Sequence, residues 1–383
     1  GPQPIAFTGG FPDPKVIPMS DLHAAADRVL AEDGPDTWRY GSTQGYPELR
    51  AWLAGHWSPI DGVPLNADNF TLTNGSAGAI TNACETFLRE GDLILVEAPS
   101  FPGSIRTMRS LGCDVEGVAM DEEGLIPEAL EEKLKLRPAK ALYMIPSSHN
   151  PTGTCLTLER RHRIVELCER HDVLIIEDDA YGEVGFLADQ PPSLFSIARG
   201  RGVVKCGSFS KIIGTGLRVG WCLASEQVVQ ALTTMRFDQG QPPFMQRLIY
   251  HYAAGGRLDE AIPKLGPFYK HKSDVMFNEL RERASGLLRW REPTGGFFAW
   301  LELDERVDAA LLQQTTREEG VQVVGGRAFF ADETAADGPT RGSSMANFGP
   351  SPYIRLAYSY IAEEETPEGI RRLARALERA RRR

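Results

Sequence analysis

Short apolar segments alternate with amphipathic helical patterns between about residue 68 and residue 225, and this alternation constrains the fold more than any other feature. Segments such as "DLILVEAP", "ALYMIPS" and "VLIIEDD" are continuously apolar, as expected of strands that are buried on both faces of a sheet. Strands that alternate with helices favour a mostly parallel sheet with helices on both sides. Because ligands of such sheets bind beyond the carboxyl ends of the strands, the residues that follow each strand are the candidates for a functional site.

The pattern changes after residue 226. Long helical stretches extend to about residue 285, and they are followed by three strand-like segments, "GGFFAWLEL", "VQVVGG" and "YIRLAYS". These segments predict a second, smaller layer of strands and helices. The chain of 383 residues is therefore predicted to be an α/β protein that can bury a large core.

The composition excludes several classes of function. The net charge is −10, whereas a nucleic-acid-binding surface needs clustered basic charge, so we expect no nucleic-acid partner. No apolar run approaches the ~20 residues that cross a bilayer, and the first residues lack the pattern of a signal peptide, so we expect no membrane association. The six cysteines form no C-x-x-C pair, and the seven histidines show no metal-binding spacing. We therefore expect reduced thiols, a cytoplasmic location and no bound metal.

Polar groups stand at the ends of three predicted strands. In "TNGSAGA" a strand turns into a helix at Gly75 and Ser76, where free N–H groups and the helix dipole favour an anion such as phosphate; a plain N-cap by Ser76 is the alternative. Asn150 follows "ALYMIPS", and turn chemistry is the alternative there. Asp178 ends "VLIIED" and would be costly to bury unless a cation or hydrogen-bond donors meet it; a structural ion pair or an N-cap is the alternative.

The stretch "GSFSKIIGTGLRVGW" adds Lys211 and Arg218 among small residues. A lysine forms Schiff bases with aldehydes when its amine is held neutral in a cationic, partly dry site. Taken alone, Lys211 is typical of a surface lysine. Together with the strand-end groups, in this order within one α/β sheet, the stretch indicates a phosphate site with a reactive amine beside it.

The chain resembles the fold-type I pyridoxal 5′-phosphate (PLP) enzymes, specifically the class I/II aminotransferases, over almost its whole length. The motifs "FTGGFPDPKVIP", "YGSTQGYPELR", "IPSSHNPTGT", "EDDAYGEVGF" and "GSFSKIIGTGLRVGW" are similar to those of one branch. That branch contains 2-aminoadipate, kynurenine and aromatic aminotransferases and the aminotransferase-like domains of GntR-type regulators. The resemblance implies a large PLP-binding domain over residues 39–270, built on a mostly parallel seven-stranded sheet, and a smaller α/β domain from residues 1–38 and 271–383.

The resemblance also implies roles for the motif residues. Lys211 would hold PLP as a Schiff base, the internal aldimine, and later shuttle the proton, while Asp178 would pair with the pyridinium nitrogen. Asn150 and Tyr181 would hydrogen-bond the 3′-oxygen of the ring, on which Phe101 would stack. Lys211, Asp178 and Tyr181 are thus the predicted catalytic residues. The phosphate would be held by Ser76, Ala77, Gly78, Ser208, Ser210 and Arg218.

Three further residues are implied to act at the substrate or across a subunit interface. Arg355 would bind the substrate α-carboxylate bidentately, with Asn150 beside it; a structural ion pair is the alternative. Gly10 would bring a backbone group near that carboxylate, and a simple turn is the alternative. Tyr40 would reach the phosphate of a neighbouring subunit, which implies a homodimer with shared active sites; a packing tyrosine is the alternative.

The implied reaction is transfer of an amino group from an L-amino acid to a 2-oxo acid. The first alternative is a PLP enzyme of the same fold that does not transaminate, such as a lyase, racemase, decarboxylase or oxygen-using enzyme, because the bond cleaved depends on substrate orientation. The second alternative is the effector domain of a regulator. It would need a basic DNA-binding domain, and we expect none before residue 10.

Two departures from the family pattern bear on substrate specificity. Only eight residues precede the "GG" motif, where relatives carry a longer segment with a helix that covers the substrate. The stretch 331–352 is instead longer than in relatives and leads to Arg355. We hypothesise that it forms a lid in place of that helix, with Arg341 able to meet an acidic side chain. A surface insertion is the alternative.

Overall fold

The computed structural model describes residues 3–337 and 350–382 and contains two main sheets flanked by helices. The strands are β1 (Ile5–Ala6), β2 (Phe70–Thr73), β3 (Leu93–Ala98), β4 (Asp114–Asp121), β5 (Gly124–Leu125), β6 (Ala141–Met144), β7 (Leu174–Asp178), β8 (Val203–Ser208), β9 (Gly220–Leu223), β10 (Leu288–Trp290), β11 (Phe298–Leu303), β12 (Val321–Gln322), β13 (Val324–Gly325) and β14 (Tyr353–Ala357). The α-helices are α1 (Met19–Arg28), α2 (Pro47–Asp61), α3 (Gly75–Phe87), α4 (Pro102–Ser110), α5 (Pro127–Leu136), α6 (Leu158–Arg170), α7 (Leu194–Ile197), α8 (Glu226–Thr234), α9 (Pro243–Ala254), α10 (Arg257–Ala284), α11 (Ala309–Glu319) and α12 (Thr366–Arg379).

The larger sheet has the strand order β2-β9-β8-β7-β6-β3-β4-β5. Strands β8, β7, β6, β3 and β4 run parallel to one another. Strand β9 is antiparallel to β8, and β2 is antiparallel to β9. The predicted mostly parallel, seven-stranded sheet is thus confirmed, and the two-residue β5 adds a short antiparallel partner at the β4 edge.

Both faces of the larger sheet are buried, which explains its continuous apolar runs. In β3, Leu93 and Leu95 belong to one hydrophobic cluster, whereas Ile94 and Val96 belong to a second cluster. Successive side chains of a strand point to opposite faces, so a core on each side of the sheet favours apolar residues at consecutive positions.

Strands β4 and β10 lie outside the predicted set. In β4, exposed and partly exposed residues such as Asp114, Glu116 and Asp121 alternate with buried ones such as Val115 and Val118. This strand lies next to the edge of the sheet, where polar side chains reach water and interrupt the apolar run. Strand β10 has only three residues and therefore gives a weak pattern.

The smaller sheet is antiparallel, in the order β10-β11-β14-β13, and helices α10 and α11 both pack against α12. The N-terminal segment joins this part of the molecule, because β1 pairs with β12 and the amide of Ala357 donates to the carbonyl of Phe7 at 2.7 Å. Strands of the larger sheet fall within residues 70–223 and those of the smaller within 288–357. The domain division at 39–270 stays a prediction, and α10 runs across residue 270.

The topology places several candidate residues at one edge of the larger sheet. Strand β2 runs in the same direction as β8, so the β2–α3 turn and the carboxyl ends of β6, β7 and β8 lie along that edge.

Over residues 3–337 and 350–382, no helix combines the length and apolarity needed to cross a bilayer. In the same ranges, no group of three or more His, Cys, Asp or Glu side chains is arranged to hold a metal ion.

Candidate active site

Lys211 lies in the connection between β8 and β9, and its amine points toward the N-terminal segment. The Nζ atom donates a 2.7 Å hydrogen bond to the carbonyl of Gly10. Burial, and after it the positive charge of Arg355, lowers the pKa of Lys211 to about 8, although the carboxylate of Asp178 acts in the opposite direction. The alternative of a surface lysine is wrong. An amine that loses its proton this readily is suited to attack an aldehyde.

Asp178 ends strand β7 and is only 5% exposed. Its Oδ2 atom accepts a 2.6 Å hydrogen bond from the hydroxyl of Tyr143, and its Oδ1 atom accepts one of 3.2 Å from the amide of Ala180. Burial raises the pKa of Asp178, and these two hydrogen bonds oppose the rise. Both donors are neutral, and within the described residues no Lys, Arg or His forms a salt bridge with this carboxylate. The charge of Asp178 therefore suits a cationic group from outside the chain.

The β2–α3 turn has the geometry of an anion site. Helix α3 starts at Gly75, and its N-cap, Asn74, makes no capping hydrogen bond with its side chain. The alternative of an N-cap by Ser76 is therefore wrong, because Ser76 lies inside the first turn. The amide of Gly78 bonds back to the carbonyl of Asn74, and the amides before it have no intrahelical partner. They are available to an anion, and the exposed Ala77 marks the open side of this turn.

Arg218 lies seven residues after Lys211 in the same connection, and its side chain contacts the β2–α3 turn. Its backbone is left-handed, with φ of 51°, and its Nη2 atom donates to the carbonyl of Asn74 at 3.2 Å. Gly75 has a φ of +67°, and a Cβ atom there would lie 2.6 Å from Arg218 Nη2. A side chain at position 75 would therefore require the guanidinium of Arg218 to shift. Ser208 and Ser210, which precede Lys211 in the sequence, are both buried. The Ser208 hydroxyl donates to that of Ser210 at 2.8 Å.

Arg355 on β14 is 2% exposed and lies opposite these groups in the smaller sheet. Its Nη1 atom donates to Oδ1 of Asn150 at 2.9 Å, and Nη2 donates to the carbonyl of Thr8 at 3.1 Å, while Nε has no hydrogen-bond partner among the described residues. The guanidinium also lies 4.0 Å from the ring centre of Phe298. Burial lowers the pKa of Arg355 to about 10, and Tyr181 opposes this shift. Since no acidic side chain of the described ranges forms a salt bridge with it, the alternative of a structural ion pair is wrong, and Arg355 can receive a carboxylate.

Gly10 and Tyr181 lie between the lysine and the arginine. A Cβ atom on Gly10 would lie 2.7 Å from the Phe298 ring and 3.6 Å from the Tyr181 hydroxyl, so the chain passes here in close contact. Tyr181 is 7% exposed, and burial raises the pKa of its hydroxyl. The structure therefore brings together Lys211, Gly10, Tyr181, Asn150 and Arg355.

Phe101 and Tyr40 are less directly connected to this cluster. Phe101 is half-buried at the N-cap of α4, one turn before Ser104, whose hydroxyl donates to Tyr143 at 3.0 Å. Tyr40 is 87% exposed and lies in a surface groove with Tyr46 and Arg247, a groove that no other candidate residue lines. Within this chain Tyr40 is not buried, and its role across a subunit interface stays a prediction.

The sequence patterns missed Tyr143 and the carbonyl of Thr8. Tyr143 was hidden within the apolar run of β6, where the need of a buried hydroxyl for a partner is the signal that could have found it. Thr8 acts through its backbone, which no side-chain pattern reveals.

Arg341 lies outside the described residues. The beginning of the 331–352 stretch is anchored on the larger sheet, because Asp332 Oδ1 accepts from the amide of Gly117 at 3.1 Å.

Comparisons with known proteins agree with this geometry. The family described as "Aminotransferase class I and II" matches residues 10–344. The chain is 34% identical to a 2-aminoadipate transaminase of Thermus thermophilus, over 98% of this chain and 90% of the relative. It is 30% identical to aromatic-amino-acid aminotransferase 1 of Thermococcus litoralis, over 97% and 88% of the two chains.

A solved structure supports the same assignment. The alpha-aminoadipate aminotransferase of Thermus thermophilus, complexed with N-(5′-phosphopyridoxyl)-L-leucine, superimposes with a TM-score of 0.88 at 34% identity, over 98% of this chain and 92% of that one. The unmatched charge of Asp178, the amine of Lys211 and the open first turn of α3 fit a cationic ring, an aldehyde and a phosphate. The chain therefore belongs to the class I and II aminotransferases of fold type I, enzymes that use PLP to move an amino group from an amino acid to a 2-oxo acid.

Proposed function

We propose that Lys211, Asp178 and Arg355 carry the transamination, with Lys211 attached to PLP in the resting enzyme. When bound, PLP supplies an aldehyde for covalent attachment and a ring that accepts electrons. The observation that carries this proposal is a pair of buried charges, the Asp178 carboxylate and the Arg355 guanidinium, which both act on Lys211 and form no salt bridge within residues 3–337 and 350–382. The Asp178 carboxylate can bind the cationic nitrogen of the cofactor ring, and the Arg355 guanidinium can bind the carboxylate of the substrate.

Lys211 is the proposed general base. Once the amino group of the substrate has replaced it on the cofactor, its Nζ atom would be free to take the proton from the α-carbon of the substrate and to return it to the cofactor side of the new bond. A positioned amine of this kind contributes roughly 10²–10⁴-fold in rate. The pKa of about 8 keeps a useful fraction of the amine neutral near physiological pH.

Arg355 is proposed to bind the α-carboxylate of the substrate. Asn150 Oδ1 and the carbonyl of Thr8 already orient its guanidinium, and the free Nε provides a further donor. Arginine suits this role because its planar fork binds a carboxylate through two parallel hydrogen bonds. Fixing the carboxylate orients the α-carbon toward Lys211, which selects removal of the α-proton over other bond cleavages.

The remaining candidates are proposed to hold the cofactor. Asn150 and Tyr181 would hydrogen-bond the 3′-oxygen of the ring, and Phe101 would stack on the ring. The phosphate would be bound by the first turn of α3, which the guanidinium of Arg218 contacts at Asn74, together with the buried hydroxyls of the Lys211 loop. These residues are Ser76, Ala77, Gly78, Ser208, Ser210 and Arg218.

The enzyme is further proposed to be a cytoplasmic homodimer in which Tyr40 completes the phosphate site of the partner subunit. The exposure of Tyr40 and the stacking of the exposed Trp38 on Phe244, at 6.1 Å between ring centres, support an interface there. All six cysteines are free thiols, which fits the reducing cytoplasm.

We propose aromatic amino acids as the preferred amino donors. Phe11 follows Gly10 directly, and its ring meets that of Tyr360 edge to face at 5.6 Å. Both rings are about half exposed, at 49% and 53%, and are free to cover an apolar side chain. Aromatic amino acids and 2-aminoadipate both appear among the substrates in the names of the relatives, and these rings favour the former.

A half-reaction with the purified holoenzyme tests transamination. Incubation with an L-amino acid and no oxo acid is expected to convert bound PLP into pyridoxamine phosphate and to release one equivalent of 2-oxo acid. Chromatography of the denatured mixture measures both products. Release of ammonia or carbon dioxide, or racemisation, without pyridoxamine phosphate would instead support the non-transaminating alternative. Comparing phenylalanine with 2-aminoadipate in the same assay tests the substrate class.

A further inference from the structure

Helix α10 carries a buried charge that the site described above does not use. Lys272 is 4% exposed. Its ammonium donates to the carboxylate of Asp13, to the carbonyl of Ser359 at 2.8 Å and to the carbonyl of Ile361 at 2.7 Å. An ammonium has three donors, so all of its hydrogen-bonding capacity is engaged.

The acidic partner lies on the segment that covers Lys211. Asp13 is 4% exposed and lies three residues after Gly10, whose carbonyl accepts from Lys211. Two residues before Gly10, the carbonyl of Thr8 accepts from Arg355. The position of Asp13 therefore determines how this segment approaches both side chains.

The two carbonyl partners lie on the segment that leaves the Arg355 strand. Strand β14 ends at Ala357, and Ser359 and Ile361 follow it. Arg355 is thus only four residues from the first carbonyl that Lys272 holds. Through one charged group, Lys272 connects the two segments that together build the carboxylate site.

A second contact from the same helix strengthens this connection. The amide of Asp13 donates to the hydroxyl of Tyr269 at 3.0 Å, one turn before Lys272 on α10. The Tyr269 ring packs against Phe297 at 4.6 Å between ring centres, next to the start of β11. Asp13 is therefore held by both its backbone and its side chain.

We propose that Lys272 is a positioning residue for the substrate carboxylate site, a role that rests on the proposed function of Arg355. It keeps residues 8–13 and the segment after β14 in one arrangement, so that Thr8 and Arg355 present a preformed site. Replacing a buried ion pair that serves stability alone with well-packed neutral residues often costs no stability. An apolar side chain cannot replace the hydrogen bonds that Lys272 donates to the carbonyls of Ser359 and Ile361. Loss of these hydrogen bonds therefore distinguishes a positioning role from a role in stability alone.

Four variants of the holoenzyme test the proposal: Asp13→Asn/Lys272→Met, Asp13→Asn/Lys272→Gln, Arg355→Met and the control Lys270→Met. Lys270 lies on the same helix but is exposed and pairs only with Asp274. For each variant, the melting temperature and the visible absorbance of bound PLP report on folding and on cofactor binding. The dissociation constant of 4-methylpentanoate, a carboxylate without an amino group, and the separate KM and kcat values for an amino donor report on the carboxylate site.

The Asn/Met double variant is expected to fold and bind PLP, because it leaves no uncompensated buried charge. It should bind 4-methylpentanoate roughly tenfold more weakly than the wild type and show a larger change in KM than in kcat. The Asn/Gln variant retains an amide donor for the carbonyls, so it should recover part of this affinity. Lys270→Met should match the wild type.

Wild-type affinity and KM in the Asn/Met variant would overturn the positioning role. If Arg355→Met weakens carboxylate binding while the Asn/Met variant does not, only the inference about Lys272 fails. If Arg355→Met leaves carboxylate binding unchanged, the proposed role of Arg355 fails, and the role of Lys272 fails with it.

Discussion

The hydroxyl of Tyr143 donates a 2.6 Å hydrogen bond to Oδ2 of Asp178 from the neighbouring parallel strand, and both groups are buried within the larger sheet. A neutral donor lowers the cost of burying a carboxylate but does not neutralise its charge. Asp178 can therefore stay ionised and still attract a cationic ring nitrogen. The hydrogen bond from Tyr143 therefore favours the ionised form of Asp178 that binds a cationic ring.

We predict that Tyr143→Phe weakens PLP binding roughly tenfold, because a hydrogen bond to a charged group contributes about 1.5–3 kcal/mol. Without the donor, the pKa of Asp178 rises further and its ionised form is less favoured. Titration of the apoenzyme with PLP, followed by visible absorbance, measures the change. Tyr252→Phe, which removes another buried tyrosine hydroxyl in helix α9, is the control. Equal PLP affinity in Tyr143→Phe and the wild type would contradict this role.

A glycine pair allows a matched test of the phosphate site. Gly75 and Gly62 have nearly the same positive φ, +67° and +62°. A Cβ atom on Gly75 would lie 2.6 Å from Arg218 Nη2, whereas one on Gly62 would meet no atom within 4 Å. Both Ala variants should lose about 1 kcal/mol of stability from the backbone strain. Only Gly75→Ala should also weaken the binding of pyridoxal phosphate relative to pyridoxal, which lacks the phosphate, because Arg218 must move.

Equilibrium dialysis with the two ligands separates these effects, and urea unfolding measures stability. A preserved preference for the phosphorylated ligand in Gly75→Ala would contradict the prediction that displacing Arg218 weakens phosphate binding. A loss of the same preference in Gly62→Ala would mean that the change acts through general destabilisation.

The extent to which the sequence predicted this structure depends on how local each signal is. Strands β3, β6 and β7 were predictable because burial on both faces leaves a largely apolar run. Strand β4 was not, since its position near the sheet edge gives it exposed charges such as Asp114. Asp178 and Lys211 were predictable from their places at strand ends.

Long-range pairs were not accessible in this way. Arg355 and Asn150 are 205 residues apart, and the contact depends on how the two sheets pack. The resemblance to a family named both residues, but no local pattern predicts that Arg355 has no acidic partner. Lys272 and Asp13 gave no signal at all, because a lysine in an amphipathic helix and an aspartate before a proline are both ordinary surface features.

The lowered pKa of Lys211 predicts a pH dependence for covalent attachment of PLP. Only the neutral amine attacks an aldehyde, and half of it is neutral at a pH of about 8, rather than near the ordinary value of about 10.4. The attachment rate to apoenzyme should therefore rise roughly tenfold per pH unit below 8 and level off above it. Stopped-flow absorbance measures the rate, and borohydride reduction with mass spectrometry locates the attachment. Lys211→Ala should show no attachment, and an inflection near pH 10 in the wild type would contradict the prediction.

The exposure of Tyr40 leads to a prediction about hybrid dimers. If Tyr40 completes the site of the partner subunit, a dimer of one Tyr40→Phe and one Lys211→Ala subunit contains one doubly defective site and one intact site. Mixing the two inactive or weakened parents after reversible dissociation should then restore activity, up to half that of the wild type in a pure hybrid. Differently tagged subunits and two-step affinity purification isolate the hybrid, and a mock exchange of each parent alone is the control. If Tyr40 instead serves its own subunit, each site of the hybrid keeps a defect, so an isolated hybrid with no more activity than its parents would exclude the shared site.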